Sequence, residues 1–147
     1  MAEEKPRLVG INHVALEVDD MDAALAFWGA IFAFELRGRS EGAAFIDMGD
    51  QFIALMRAET PHRDEHRHFG LVVDDRARVR ELARAAGAEM IEGGFLDFRD
   101  PWGNFIQVVE YRDIQFAKTE PVLRGMGLAG LDKTAEARKE LAEKGMG

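Results

Sequence analysis

His13 and His68 occupy the same place in two copies of one short segment. Residues 12 to 20 read NHVALEVDD, and residues 67 to 75, fifty-five positions further on, read RHFGLVVDD. Five of the nine positions are identical, namely His13/His68, Leu16/Leu71, Val18/Val73, Asp19/Asp74 and Asp20/Asp75. An imidazole near neutral pH can carry a proton or bind a metal. A lone histidine is ordinarily a surface or satisfied core residue, so two at equivalent places carry more weight than one. A second match, DQFIAL at 50–55 against GNFIQV at 103–108, extends the repeat over nearly all of residues 11–110. Repetition at this period signals two copies of one supersecondary unit that share a core.

The elements that must position the histidines follow in the same order in each half. Asp20 can cap a helix carrying Leu25, Trp28, Ile31 and Phe32 at helical spacing, and Asp75 one carrying Val79, Leu82, Ala83 and Ala86, with Gly87 as a left-handed stop. Short β-type runs come next: Phe34 to Gly38, Ala43 to Met48 and Gln51 to Met56, then Ala88 to Ile91, Phe95 to Arg99 and Asn104 to Tyr111. Each half therefore reads as β-α-β-β-β. The division is 11–58 for the first module, 59–66 for a linker, 67–111 for the second module and 112–147 for an extension with a final helix.

Alternation along the strands separates their faces. Val14, Leu16 and Val18 should pack under the first helix, leaving His13, Ala15 and Glu17 on the other face. Phe69, Leu71 and Val73 should pack under the second, leaving His68, Gly70 and Val72. By the same rule Ile53, Leu55, Ile106 and Val108 face the helices, while Ala54 and Gln107 share the histidine side. Two curved sheets facing each other would gather His13, Ala54, His68 and Gln107 around one cavity. Phe45, Phe52, Met56, Phe95 and Phe105 could line it, although such residues at strand spacing are more often core. Arg57 and Arg99 could meet an anionic substrate at its rim, against the default of exposed arginine.

Composition narrows the class. The 147 residues are 47% hydrophobic, enough for a real core in one domain or two fused half-domains. No apolar run approaches the roughly 18 residues of a transmembrane helix, and the acidic opening MAEEKPRLVG does not read as a secretory signal. The absence of cysteine excludes disulfides and thiolate chemistry and fits a cytoplasmic protein. A net charge of −8 argues against nucleic acid or anionic membrane as a partner. His62 and His66, in TPHRDEHRH, read as solvated linker histidines, and DPWGN at 100–104 as a hairpin turn.

The paired units, NHVAL opening the first, a His-led strand ending in VDD opening the second, and the hairpin DPWGNFIQV together resemble the vicinal oxygen chelate superfamily over residues 11–111. That group includes glyoxalase I, extradiol dioxygenases, methylmalonyl-CoA epimerase, fosfomycin-resistance thiol transferases and bleomycin-resistance proteins. The resemblance implies an α+β fold of two paired β-α-β-β-β modules forming curved mixed sheets around a central cavity, followed here by a helical tail. It also implies metal ligands at His13 and His68, with the superfamily's usual glutamate falling on Gln107. Glu110, on the opposite parity, would need a β-bulge to turn inward as an alternative third ligand. The acid that glyoxalase I needs on the last strand of the first unit falls on Ala54, so a glyoxalase I reaction is not expected. Two imidazoles and an amide should hold a divalent ion less tightly than an acidic set.

Glu17 shares the face of His13 but lies four residues along the strand, roughly 13 Å away, which suits a base or substrate contact rather than a ligand. The first functional expectation is a metalloenzyme that binds iron, manganese, zinc or nickel and chelates vicinal oxygens of a small substrate, with a lyase, isomerase or dioxygenase outcome. The alternative is a metal-free drug-binding protein of the bleomycin-resistance type. Ile114, Phe116, Val122, Leu123, Met126, Leu128 and Leu131 make the extension too apolar to float free. It should pack on the body or on a second subunit, closing one end of the cavity, and Asp132 or Thr134 can cap its last helix. By analogy with the superfamily, a homodimer is expected.

Overall fold

A computed structural model describes Lys5 and residues 11–147; apart from Lys5, the acidic opening lies outside the described residues. The first module comprises β1 (His13–Val18), α1 (Met21–Ile31), β2 (Leu36–Arg39), β3 (Ala43–Asp47) and β4 (Phe52–Arg57). The second comprises β5 (Phe69–Val73), α2 (Arg76–Ala85), β6 (Glu89–Ile91), β7 (Leu96–Arg99) and β8 (Phe105–Glu110). Each module builds a four-stranded mixed sheet, ordered β1-β4-β3-β2 and β5-β8-β7-β6, in which the first and last strands run parallel. Helix starts follow the expected chemistry. The Asp20 carboxylate accepts the Ala23 N–H at 3.0 Å and Asp75 that of Arg78 at 3.1 Å, satisfying donors the helix itself leaves open.

Helix-facing alternation produces the core. Leu16, Val18, Ile53 and Leu55 of one sheet and Leu71, Ile106 and Val108 of the other are buried with Phe27, Trp28, Val79 and Ala83 in one continuous cluster. The helices α1 and α2 pack together, and Phe27 meets Trp102 edge-on, with centroids 6.2 Å apart. Polar ties cross the same seam: Trp102 Nε1 donates to Asp19, and Asn104 Nδ2 donates to the Glu17 carbonyl at 2.9 Å. The helix-bearing faces of the two sheets thus share one core. The histidine-bearing faces are the opposite ones and look away from it.

The β7–β8 turn anchors this seam. Asp100, 3% exposed, accepts the Trp102 N–H at 3.0 Å, the Asn104 N–H at 2.9 Å and Asn104 Nδ2 at 2.8 Å. Gly103 sits at φ +89°, and a Cβ there would stand 2.7 Å from the Arg63 Cα of the linker. Gly103→Ala meets both a left-handed backbone and fixed main chain. It should cost about 2 kcal/mol, read as a lower urea midpoint at unchanged slope.

Beyond β8 the chain returns to the first module. A short α3 (Glu120–Gly125), not distinguished in the sequence, is followed by α4 (Ala135–Glu143), capped by Thr134 through the Ala137 N–H at 3.2 Å. Tyr111 is buried and its hydroxyl accepts the Lys118 N–H at 3.3 Å, while Lys118 Nζ reaches the Met48 carbonyl at 2.8 Å and the Asp50 carboxylate. The extension therefore packs on the body, at the β3–β4 turn. The hydrogen bond from Lys118 holds the Asp50 carboxyl below its ordinary value against a smaller opposing effect of burial. A depressed carboxylate stabilises above its ordinary pKa and loses that share as pH falls through the depressed value. Amide exchange in α3 should therefore rise on going from about pH 6 to about pH 3 after correction for intrinsic rates, and Asp50→Asn should flatten that dependence.

Candidate metal and substrate site

His13 opens β1 and pairs with Phe52 across the parallel β1–β4 ladder. Their rings stack at 4.6 Å and 8°. The Arg37 guanidinium stands 4.8 Å from the Phe52 centroid and is held by Asp47 and by the carbonyls of Gly49 at 2.6 Å and Gln51 at 2.8 Å. His13 Nδ1 lies 3.0 Å from Asn12 Oδ1, an acceptor that favours the tautomer with its proton on Nδ1.

The second module repeats the arrangement with different means. His68 directly precedes β5 and tilts against Phe105, with centroids 5.3 Å apart. Arg99 lies 5.1 Å from the Phe105 centroid, donates to the Asp64 carbonyl at 2.9 Å and pairs with Glu89 at 3.5 Å. His68 Nδ1 is 2.9 Å from the His66 carbonyl, which can only accept, so Nδ1 carries the proton and Nε2 is again the free nitrogen. An outer oxygen on one ring nitrogen is the usual device that orients a ligating imidazole. The linker histidine His66 thus serves through its backbone, while His62 and His66 both present exposed side chains.

Gln107 lies at the middle of β8, on the histidine face, opposite Gly70 on one side and Asp97 on the other. Glu110 is placed elsewhere. Its Oε1 accepts the Arg76 N–H at 2.9 Å, so the carboxylate serves the start of α2 on the helix side, with no bulge in the β8 register. Glu17 is exposed at the far end of β1, opposite Met56, and only its backbone carbonyl is tied to the second module. Ala54 is buried between Ala15 and Phe45.

Because the modules share their helix faces, the four symmetric positions are not closed over one another within the chain. Among the described residues no group of three or more His, Asp or Glu could hold a metal. Two open surface hollows, of about 370 and 600 Å³, lie by Asp19, Arg39, Glu41 and Arg57, and neither is lined by a histidine. Arg57 thus faces an outer hollow, and Arg99 is committed to Asp64 and Glu89. Met56, on the histidine face, is 40% exposed, and Phe95, just before β7, is 60% exposed.

The match to known proteins agrees with this architecture. A family model described as Glyoxalase/Bleomycin resistance protein/Dioxygenase superfamily covers residues 10–108. The chain belongs to this superfamily. The uncharacterized protein PA2024 of Pseudomonas aeruginosa is 29% identical over an alignment of 119 positions that covers 66% of this chain and 85% of that protein. Glutathione transferase FosA of Serratia marcescens is 24% identical over an alignment of 113 positions that covers 69% of this chain and 80% of FosA. The crystal structure of the fosfomycin resistance protein FosX of Listeria monocytogenes, complexed with Mn(II) and sulfate, superposes with a TM-score of 0.60 at 21% identity, covering 69% of this chain and 92% of FosX. The likeness to FosX is one of fold. No helix among the described residues is long and apolar enough to cross a membrane.

The sequence reading missed Asp97. Leu96 and Phe98 are fully buried on the helix side, so strict alternation along LDFR puts Asp97 and Arg99 on the face of Gln107. Asp97 Oδ1 is buried without any hydrogen-bond partner.

Proposed function

We propose that this superfamily member is a metal-dependent enzyme acting on a small substrate with adjacent oxygens, in the lyase, isomerase or dioxygenase range. The observation that carries the reading is the matching contact of Nδ1 with an oxygen in the two equivalent histidines. Each has an oxygen on Nδ1 and a free Nε2, which is the donor set a divalent ion needs from imidazole. His68 and Gln107 of one chain would hold the ion, with His13 arriving from the first module of a second copy. Such a copy would cover the exposed side chains of Met56 and Phe95. Bound there, an iron, manganese, zinc or nickel ion would polarise vicinal oxygens of the substrate.

The chain's own residues supply the rest. Phe52 and Phe105 floor the two histidine faces, and Arg37 and Arg99 hold those rings in place. Gly70 leaves open space beside Gln107, since a Cβ there would meet nothing within 4 Å. Glu17, too far along β1 to bind the same ion, is positioned to accept a proton from, or a hydrogen bond from, the distal part of a substrate. The Mn(II) in the FosX complex supports a divalent ion in this fold, and the cysteine-free chain suits a cytoplasmic setting. Elemental analysis of untagged protein purified without chelator, followed by titration with Mn(II), Fe(II), Zn(II) and Ni(II), tests this directly. Near-stoichiometric binding supports it. No binding of any of the four overturns it and leaves the metal-free, bleomycin-resistance type of ligand sequestration.

A further inference from the structure

The donor set of the histidine faces has one conspicuous gap, a negative charge. Gln107 is neutral where the superfamily resemblance implies glutamate, and two imidazoles are neutral as ligands. The β7–β8 register places Asp97 directly opposite Gln107, and the β5–β8 register puts Gly70 on the other side of the same row. Side chains directly opposite in an antiparallel pair hold their Cβ atoms about 5 Å apart on one face. The Asp97 carboxylate therefore stands one strand over from the amide, and the side-chain-free Gly70 flanks the row on the side toward His68.

The surroundings of Asp97 give it nothing to bind. Across the other ladder it faces Ile91, which is apolar. Arg99, two residues along on the same face, is drawn off by the Asp64 carbonyl, Glu89 and the Phe105 ring. Oδ1 is left buried and without a partner. Buried polar atoms in folded proteins are nearly always hydrogen-bonded, so the unpartnered carboxylate oxygen on this face is available to a ligand or ion. Asp100 in the next turn, by contrast, accepts three hydrogen bonds.

We infer that Asp97 is the anionic member of this site: the carboxylate has moved one strand, from the Gln107 position to its cross-strand neighbour, and its free oxygen serves the cation held by His68 and Gln107. The inference rests on the metal reading above. It adds a residue that the resemblance assigns to no role, and it supplies the negative charge that Gln107 lacks. Charge compensation, rather than the identity of one position, is what the ion requires.

The test uses Mn(II) alone, followed by calorimetry and by the electron paramagnetic resonance spectrum, on four full-length proteins: native, Asp97→Asn, His68→Ala, and the charge-relocated pair Asp97→Asn with Gln107→Glu. Asp97→Asn should bind Mn(II) at least about tenfold more weakly. The relocated pair should return to within about threefold of native, because the same charge is restored one strand away. Without metal, Asp97→Asn should melt no lower than native, since it removes an unpartnered buried charge. A structural aspartate would show the reverse pattern, with a lower melting temperature and unchanged affinity. Native affinity in Asp97→Asn, beside loss in His68→Ala, overturns the role of Asp97 and leaves the metal site standing. Failure of the native protein to bind Mn(II) removes the metal reading, and this inference with it.

Discussion

His13→Ala and His68→Ala proteins are each expected to lose at least about a hundredfold in Mn(II) affinity, yet the two unfolded and refolded as an equimolar mixture should recover about a quarter of the native sites. The expectation comes from the seam. Because α1 packs on α2 and the helix faces of both sheets share one core, the histidine face of either module is open to a second copy. On the proposed reading, two identical chains related by a two-fold axis would build two equal sites, each with His13 from one chain and His68 from the other. Random pairing makes about half the dimers mixed, and each mixed dimer holds one site with both histidines and one with neither. Manganese counted by electron paramagnetic resonance in the refolded mixture reads this directly. If both histidines of a site come from one chain, mixing recovers nothing.

Asp100→Ala should be the most damaging substitution for stability, at about 4 kcal/mol, seen as a fall of roughly 10 °C in the melting temperature. Three donors converge on this buried carboxylate, and alanine removes the acceptor of the Trp102 and Asn104 N–H groups and one of the two acceptors of Asn104 Nδ2. The loss spreads across the seam. Asn104, freed from Asp100, also loses the orientation that sends its amide to the Glu17 carbonyl. Burial raises the Asp100 pKa despite these donors. Its titration therefore favours the folded state below the ordinary carboxylate value, and that advantage is lost as the pH rises through the raised one. Asp100→Asn, which keeps one acceptor but turns an amide toward Asn104 Nδ2, should fall between native and alanine in the same melt.

The contrast between what could and could not be read beforehand has physical causes. Local chemistry was legible: the caps at Asp20 and Asp75 and the alternation in β1, β4, β5 and β8 depend on residues a few positions apart, and the paired units on a direct repeat of one segment. The relation between the modules was not. It is decided by Trp102 and Asn104 meeting Asp19 and Glu17, partners more than eighty residues away, and no periodicity encodes which face of a sheet meets which. Facing histidine sheets were expected, whereas shared helix faces are found. Glu110 illustrates the same limit on a smaller scale, since its parity was clear but its partner, the Arg76 N–H, lies thirty-four positions back. Asp97 was within reach. The alternation of LDFR and the pairing of β7 with β8 would have placed it beside Gln107, and aromatic residues near it drew the reading toward an apolar wall instead.

The contact of Lys118 with Asp50 spans 68 residues of sequence. In time, at the usual pace of translation, that is roughly 3 to 14 s between the synthesis of the β3–β4 turn and the arrival of the lysine that seals it. Both modules are complete by residue 110, yet the turn of the first stays without its clasp until Lys118 follows. A chain arrested before residue 118 would carry that bare turn permanently, so truncation at the end of the repeat should yield a product prone to capture by chaperones rather than a smaller working protein.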